Sequence, residues 1–468
     1  MSISDELVRK VELGGTYQMC VMSSLDGTDA GTTIPVYEVN NIESVPFPGI
    51  ISSPGDLFPL LPDSIRFIYN VNQCTPWRFV GKIVRRFGAQ ISKCEEHLSV
   101  KLAHLMSLVL LNERSDILHA NNPSKTDMGI LNLLITGPDL LTLQRLTVFS
   151  TSFADRLVVH SAVSELLAQV SRDQAGTGTY SVEGGCVLLA RGGVCLVPNL
   201  AVLNKDQRES LQKALENKRV AVDIPKRLTG TARAQQEVAP ALCTVWACAQ
   251  PSHAVRPTSS HGAWDSIKFS QIEIAQGLEG LGRAFIDRFE LALFINEPEG
   301  SHDAKRGGIT EPALIRAIGE GTNDDDSSLG DEDLRLYLKL ASRLQVTFSA
   351  ASQALLRGYY TAGRRSRMAE GDFPLNALKT LFSLAAAHAR LSLREKVIDE
   401  DVVIAVLMFE TTLKTSRGFC VVGLHHGFRP DYLMLSEDEL KLRQFTYQLQ
   451  KFCSSFAPSL GITRPREE

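Results

Sequence analysis

The segment Gly192-Gly-Val-Cys-Leu-Val-Pro-Asn-Leu200 indicates the centre of the fold, because a short apolar run stops abruptly at a proline. Its apolar residues are typical of a buried strand, and Pro198 and Asn199 end that strand. A helix is predicted directly afterwards, and Asn204 can cap its first turn.

Two further apolar runs flank this segment. Upstream, residues 130–136 form an apolar run that ends at Gly137-Pro138 and precedes a helical pattern. Downstream, residues 241–249 form another run, which ends at Gln250. Strands that alternate with helices and end in Gly or Pro turns predict a parallel α/β sheet.

The composition is that of an ordinary globular protein with room for two to four domains. The chain has 468 residues, of which 44% are hydrophobic and 22% are charged, and its net charge is −4. Because its net charge is negative, the chain as a whole does not attract nucleic acid. No apolar segment approaches the ~18 residues that a membrane span needs. The nine cysteines include no Cys-x-x-Cys pair, which argues against a zinc site and for a reducing compartment.

The order of these segments resembles the ATPase domain of the minichromosome maintenance (MCM) helicases. Gly192-Gly-Val-Cys195 and Asp206-Gln-Arg208 match family motifs, and residues 397–406 are similar to part of the family's helical lid. The resemblance covers roughly residues 80–415. It implies an α/β fold with an AAA+ type P-loop-like parallel sheet, a C-terminal helical lid and a preceding OB-fold remnant.

The resemblance and the composition together divide the chain into six segments. They are a partial OB-fold-like β segment (1–45), a proline-rich linker (46–76), an MCM-like AAA+ core (77–297), an acidic flexible linker (298–333), a helical lid (334–415) and a tail (416–468). Within the core, residues 157–173 include an amphipathic helix pattern. The tail contains another at 437–456, which either docks on the lid or binds a partner. The family's earlier N-terminal parts are absent, so we expect a truncated isoform or a fragment.

The phosphate-loop position lacks the residues that bind phosphate and magnesium in the family. A phosphate loop needs a Lys for the phosphate oxygens and a Ser or Thr for magnesium. This chain keeps Gly137, but Leu143 stands at the Lys position and Gln144 at the Ser position. A leucine cannot neutralise phosphate charge, so the loop is predicted not to hold ATP in the family's manner.

The second motif of the family is altered too. Pro198 and Asn199 occupy the Asp and Glu positions that would hold the metal's water shell and polarise the attacking water. Gln250 aligns with the family's sensor Asn, and Asn376 aligns with its lid Arg. We therefore expect no catalytic residue, no metal and no cofactor, with ATP and magnesium only at a site shared with an active partner.

One catalytic position of the family survives. Arg288, in Phe285-Ile-Asp-Arg-Phe-Glu-Leu291, matches the arginine that reaches the ATP of a neighbouring subunit. The resemblance implies an arginine finger acting in trans. The alternative is a structural role in which Arg288 pairs with Asp287 or Glu290.

A basic loop is the candidate DNA contact. Lys226, Arg227 and Arg233 fall where the family has a hairpin that points into the ring channel. Such a loop can contact phosphates without reading sequence, but a solvated surface loop gives the same pattern.

The chain keeps the family's motif order but has altered residues at the catalytic positions. In this combination it resembles one non-replicative branch of MCM relatives. That resemblance implies a non-enzymatic nuclear protein in meiotic double-strand-break repair, homologue pairing and crossover formation. Its partners would be other MCM-type subunits or recombination proteins, with DNA as a further partner and no membrane. The alternative is an active or ATP-binding MCM-type helicase subunit.

Overall fold

The structure is a computed structural model. It describes residues 2–3, 11, 17–27, 33–44, 54–72, 76–92, 97–111, 130–137, 139–172, 180–224, 235–250, 281–295, 329–366, 373–374, 376–417, 420–422 and 439–456.

The N-terminal region forms a small sheet where the sequence predicts β segments. Its strands, in the order β1-β3-β2, are β1 (Ser2–Ile3), β2 (Tyr17–Gly27) and β3 (Thr33–Ser44). Strands β2 and β3 are antiparallel with a bulge between Cys20 and Val21, and β1 runs parallel to β3.

The prediction of an irregular linker at 46–76 is wrong for residues 54–71. This stretch forms α1 (Pro54–Leu57), a 3-10 turn (Phe58–Leu60) and α2 (Asp63–Val71). The prolines occur at the starts of these elements, where a missing N–H costs no helical hydrogen bond. Burial of Leu57, Leu61, Ile65 and Ile68 in the main core stabilises the helices.

Two helices lead into the central sheet. They are α3 (Pro76–Arg86) and α4 (Leu98–Leu110). Nearly every side chain of α4 is buried, because this helix passes through the middle of the largest apolar cluster.

The middle of the chain alternates strands and helices. The strands are β4 (Leu133–Thr136), β5 (Leu157–Val159), β6 (Ala168–Arg172), β7 (Tyr180–Gly184), β8 (Val194–Val197), β9 (Arg219–Ile224), β10 (Gln235–Pro240), β11 (Thr244–Ala249) and β12 (Leu291–Phe294). The helices are α5 (Leu140–Thr151), α6 (Cys186–Leu189), α7 (Lys205–Asn217) and α8 (Arg283–Ile286). Asn204 caps α7 as predicted, since its side chain accepts a hydrogen bond from Gln207 N at 2.8 Å.

Five of these strands form one parallel sheet in the order β12-β4-β11-β8-β5. Alternate residues enter different cores: Leu133 and Ile135 face the main cluster, whereas Leu134 faces a second cluster with α6 and α7. The edge strand β12 is covered by the helix α12 (Asp399–Arg417). The Thr412 and Thr415 hydroxyls of this helix accept hydrogen bonds from N–H groups of β12. The predicted parallel α/β core is confirmed.

The helix predicted between residues 157 and 173 is wrong. Residues 168–172 are strand β6, which pairs antiparallel with β7, and Val170 lies opposite Val182. The run fits period 2 as well as a helical period, and pairing with β7 decides between them. A second antiparallel pair, β9 with β10, flanks residues 225–234, which lie outside the described residues.

The C-terminal part is helical. Its elements are α9 (Asp331–Ser342), β13 (Thr347–Phe348), α10 (Ala350–Arg365), α11 (Ala377–Leu391), β14 (Lys396–Val397), α12 (Asp399–Arg417) and α13 (Glu439–Phe456). Helix α9 starts inside the predicted acidic linker, because Asp331, Glu332 and Asp333 occupy its first turn, where negative charge favours the helix dipole. The rest of that linker, residues 298–328, lies outside the described residues.

Helix α13 docks on the lid, the first of the two alternatives for the tail. Phe445, Leu449, Phe452 and Cys453 are buried in the same cluster as α10 and α12. The Phe452 ring lies 6.4 Å from the ring of Tyr359 on α10.

Candidate nucleotide site and the cleft at the opposite edge

Gly137 follows β4 at the carboxyl edge of the sheet, where the phosphate loop would begin. A Cβ at this position would lie 2.8 Å from Ile295 O and 3.0 Å from Leu143 Cδ1. Gly137 is therefore required by close packing against the end of β12 and against α5.

Leu143 lies in the first turn of α5, and its side chain is directed into the main core. It is 1% exposed and belongs to the same apolar cluster as Leu133 and Ile135. The residue at the Lys position thus contributes packing and presents no charge at the sheet edge.

Asp139 caps α5 and occupies the position that a phosphate would take. Its carboxylate Oδ1 accepts a hydrogen bond from Thr142 N at 3.2 Å. Free N–H groups at a helix N-terminus attract anions, and here a carboxylate of the chain itself meets them. Sequence reasoning missed this residue, although an Asp just before an apolar helix is a recognisable cap signal.

Gln144 joins the two altered motifs directly. Its Nε2 donates a hydrogen bond of 2.7 Å to the carbonyl oxygen of Pro198. In the family these two positions supply the hydroxyl and the carboxylate on either side of magnesium. Here a direct bond replaces the gap between them.

Asn199 is committed to the local turn. Its Oδ1 accepts a hydrogen bond from Ala201 N at 2.9 Å and caps the 3-10 turn Leu200–Val202. Gln250 is exposed just after β11, which lies between β4 and β8. The structure thus brings Gly137, Gln144, Asn199 and Gln250 to one edge of the sheet, as parallel strands require.

The residues at this edge do not fit a magnesium nucleotide. The described positions 137, 139–144 and 198–199 offer no lysine for phosphate, no carboxylate at the metal position, and an acidic cap where the phosphates would lie. Across the described part of the chain, no group of three His, Cys, Asp or Glu residues could hold a metal ion. None of the described helices is long and apolar enough to cross a membrane.

Arg288 lies at the other edge of the sheet. It comes shortly before β12, which pairs in parallel with β4 so that Leu291 lies opposite Leu133. Four strand residues of roughly 3.3 Å each separate the two edges. Arg288 therefore cannot serve the Gly137 edge of its own chain.

Glu216, at the end of α7, holds Arg288. Arg288 Nη2 lies 3.0 Å from Glu216 Oε1, and the Arg288 side chain remains 27% exposed. The expected pairing of Arg288 with Asp287 or Glu290 is wrong: Asp287 pairs with Arg417 at 2.9 Å, and Glu290 pairs with Lys218 at 3.2 Å.

Arg288 and Asn376 line one cavity. Its volume is about 140 Å³, and it lies between the end of α7, the approach to β12 and the helices α11 and α12. Glu290 anchors one wall, because its Oε2 accepts a hydrogen bond from Asn132 N at 2.8 Å. The two residues with sensor-like alignments are thus separated, with Gln250 at the carboxyl edge and Asn376 beside Arg288.

The candidate DNA-contact residues Lys226, Arg227 and Arg233 lie outside the described residues. The antiparallel pair β9 and β10 ends on either side of them, at Ile224 and Gln235. Their assignment to DNA stays a prediction.

Residues 91–305 match the MCM P-loop domain family. The chain is 31% identical over 475 residues to minichromosome maintenance domain-containing protein 2 of Rattus norvegicus and 28% identical over 478 residues to that of Homo sapiens. Each alignment covers 98% of this chain and 65% of the relative, so the chain spans less than two thirds of their length. It is also 24% identical to DNA replication licensing factor mcm2 of Xenopus laevis, over 69% of this chain and 38% of that protein. With its AAA+-like parallel sheet and this sequence similarity, the chain carries a minichromosome maintenance (MCM) P-loop domain at residues 91–305.

Proposed function

We propose that this chain is a catalytically inert MCM-type subunit that acts in the nucleus, in meiotic recombination and double-strand-break repair. The observation that supports the inert part is the hydrogen bond from Gln144 to Pro198 O, which joins the two positions that the resemblance assigns to magnesium binding. Loss of the phosphate lysine and both metal-site carboxylates removes several independent contributions to transition-state stabilisation.

The placement of Arg288 supports a role beside other MCM-type subunits. The Arg288 side chain is 27% exposed and lies at the edge opposite to the chain's own loop, so any nucleotide it contacts would belong to another molecule. A neighbour's phosphate would have to compete with the Glu216 carboxylate for it. ATP and magnesium would then be bound at the shared site by the neighbour's residues, with Arg288 and Asn376 as this chain's contribution.

The meiotic part rests on the resemblance to the non-replicative branch of MCM relatives. The chain is more similar to the MCM domain-containing relatives, at 28–31% identity, than to the Xenopus laevis licensing factor, at 24% identity. Recombination proteins are the further partners that this role implies.

The first test is equilibrium binding of a fluorescent ATP analogue with magnesium to the purified chain. We expect no saturable binding at micromolar concentrations, and an active MCM protein serves as the positive control. Micromolar binding that is abolished by Asp139→Arg or Gln144→Ala would show a working pocket and reinstate the helicase-subunit alternative.

The second test addresses the biological role. Disruption of the gene in its source organism should leave unrepaired strand breaks in meiotic cells and leave S phase in dividing somatic cells unchanged. Normal break repair and crossover numbers in meiosis would exclude the proposed role.

A further inference from the structure

Three side chains outside the altered nucleotide site meet at the outermost strand of the parallel sheet. His160 directly follows β5, Ser164 lies in the turn after it, and Cys186 begins α6. His160 is 5% exposed and Cys186 is 3% exposed, whereas Ser164 is half-buried. Because His160 follows the end of β5, this cluster lies at the carboxyl edge of the sheet, where α/β proteins commonly bind their ligands.

The thiol, the hydroxyl and the imidazole form one chain of contacts. Cys186 Sγ donates a hydrogen bond to Ser164 Oγ at 3.4 Å, and Ser164 Oγ lies 3.2 Å from His160 Nδ1. Cys186 Sγ also lies 3.9 Å from His160 Nδ1. A nucleophile within reach of a base is the arrangement that activates cysteine, and here a hydroxyl can relay the proton between them.

Packing alone does not explain an imidazole at this position. Val158, two residues earlier on the same face of β5, is apolar and packs against the second core cluster. Burying a polar ring at the next inward position costs desolvation, whereas a buried thiol packs as a small apolar group and needs no such partner. The pairing of His160 with Cys186 therefore indicates chemistry at the thiol.

The protonation states favour proton transfer from Cys186 and not from its neighbour Cys195. Burial lowers the pKa of His160 below its ordinary 6.5, and the Glu165 carboxylate only partly offsets this, so the ring is neutral at pH 7 and can accept a proton. Burial, together with the Cys243 and Cys186 thiols, raises the pKa of Cys195. Cys195 therefore stays a protonated, unreactive thiol in the same cluster.

The loop after β5 fixes the cluster and also controls access to it. A Cβ at Gly185 would lie 2.7 Å from Glu165 O, and Cys186 N donates to that same oxygen at 2.9 Å, so the loop rests directly on the backbone beside the thiol. The thiol lies one side chain below the surface, because Ser164 contacts it and Val163 in the same turn is 97% exposed. A turn with so little packing opens locally at low cost and admits a small reagent.

We propose that Cys186 is a peroxide-reactive thiol, with His160 as its base and Ser164 as the proton relay. His160 takes the thiol proton through Ser164, and the thiolate sulfur attacks one peroxide oxygen. The O–O bond breaks as the S–O bond forms, and the leaving hydroxide takes the proton from the imidazolium. The products are a sulfenic acid at Cys186 and one water, so the sulfur loses the two electrons that the peroxide gains.

Acyl transfer is a poorer fit to the same three side chains. It needs free N–H groups to stabilise an oxyanion beside the nucleophile. Cys186 N and Val187 N instead donate to the carbonyl oxygens of Glu165 and Leu166, both at 2.9 Å. The proposed reaction needs no such donors, and it is independent of nucleotide and of the function proposed above.

The test treats the full chain with hydrogen peroxide at pH 7 and traps sulfenic acid with dimedone. Peptide mass spectrometry then gives the rate of labelling at each cysteine. We expect Cys186 to react about tenfold or more faster than Cys195 and Cys243, which are buried in the same cluster. Equal rates at these three cysteines, or labelling of Cys186 that requires denaturant, would overturn the proposal.

His160→Asn tests the base, because asparagine keeps a hydrogen-bonding side chain but cannot take the proton. It should slow Cys186 by about tenfold or more and leave the rate at exposed Cys20 unchanged. In the wild type the rate at Cys186 should be flat between pH 7 and 8, since the imidazole is neutral throughout. In His160→Asn the rate should rise about tenfold per pH unit, because the thiolate must form unaided. The same rising profile in the wild type would exclude a base.

Ser164→Ala tests the relay, with Ser161→Ala in the same turn as the matched control. Ser161 Oγ contacts Ser164 Oγ at 3.2 Å. We expect Ser164→Ala to slow Cys186 severalfold and Ser161→Ala to leave its rate unchanged. Equal losses in the two variants, or no loss in both Ser164→Ala and His160→Asn, would contradict the proposal. If His160→Asn melts early, the wild-type pH profile and Ser164→Ala decide the outcome.

Discussion

The first turn of α5 differs from a phosphate loop in its side chains, and each of these side chains has packing or hydrogen-bond partners within the chain. Leu143 is 1% exposed in the main core, and Asp139 supplies the cap that a phosphate would otherwise provide. Restoring a lysine alone would place a charge in an apolar environment, because the backbone directs this side chain inward.

We expect Leu143→Lys to lower the free energy of unfolding by about 2–4 kcal/mol and to create no ATP binding. Denaturant unfolding measures the first effect and analogue binding the second. Leu141→Lys on the same helix is the control, since Leu141 is 56% exposed and should change stability by less than about 0.5 kcal/mol. Equal effects of the two substitutions would contradict the burial argument.

Glu410 is a buried carboxyl at the centre of the lid. The Tyr359 hydroxyl donates to its Oε1 at 2.5 Å, and Val422 N donates to the same atom at 3.3 Å. Burial raises the pKa of Glu410 from its ordinary 4.5 to about 7. Burial also raises the pKa of Tyr359, and raises that of Cys453 to about 12, so neither group titrates between pH 5 and 8.

The sign of the pH effect follows from these values. The folded protein binds the Glu410 proton more tightly than the unfolded chain does, so the stabilisation is complete below about pH 4.5 and is lost as pH rises through 7. Glu410→Gln should remove a pH dependence of about 3 kcal/mol and raise the melting temperature at pH 8. The same substitution at Glu43, an exposed residue of β3, is the control and should leave the melting temperature at pH 8 unchanged. If the stability of Glu410→Gln varied with pH as that of the wild type does, Glu410 would not be the source of the pH dependence.

At the scale of elements, α13 is an amphipathic helix whose apolar side packs against the lid. Its buried rings continue the aromatic cluster of α10 and α12, where Phe373 lies 5.8 Å from Phe409. The sequence pattern predicted the helix. The surface of α10 on which the helix packs is formed only when the lid helices pack together.

Phe452→Ala should loosen α13 from the lid, because a buried aromatic ring is lost together with its contacts. We expect a loss of about 3–5 kcal/mol in the docking of α13, measured by amide hydrogen exchange within residues 445–453. Exposed Gln444→Ala is the control and should leave exchange unchanged. Rapid exchange of α13 already in the wild type would argue against stable docking.

At the scale of the whole molecule, the sheet separates two functional positions. The carboxyl edge carries the altered loop closed by Gln144, and the opposite edge carries Arg288 with Glu216. Under the proposed function, this chain therefore contributes to a nucleotide site only through a neighbouring subunit.

Mixed with an active MCM-type subunit, the chain should support ATP turnover that falls by about a thousandfold in Arg288→Ala. The stability of the chain should change by less than about 1 kcal/mol, since the Arg288–Glu216 pair is partly solvated. Arg145→Ala, an exposed arginine on α5, is the control. Turnover that does not depend on Arg288 would exclude a finger role.

The sequence by itself determined the parallel core, because strands such as 194–197 and the cap at Asn204 are local patterns that period and turn chemistry define. It also identified the altered residues at 143, 144, 198 and 199. Only the tertiary structure decided that Gln144 binds Pro198 O, that Glu216 holds Arg288, and that Asn376 joins Arg288 rather than Gln250. Tertiary packing also decided that the proline-rich stretch at 54–71 forms core helices and that residues 168–172 form a strand. These contacts join residues far apart in the chain, and local propensity carries no information about which distant surface a side chain will meet.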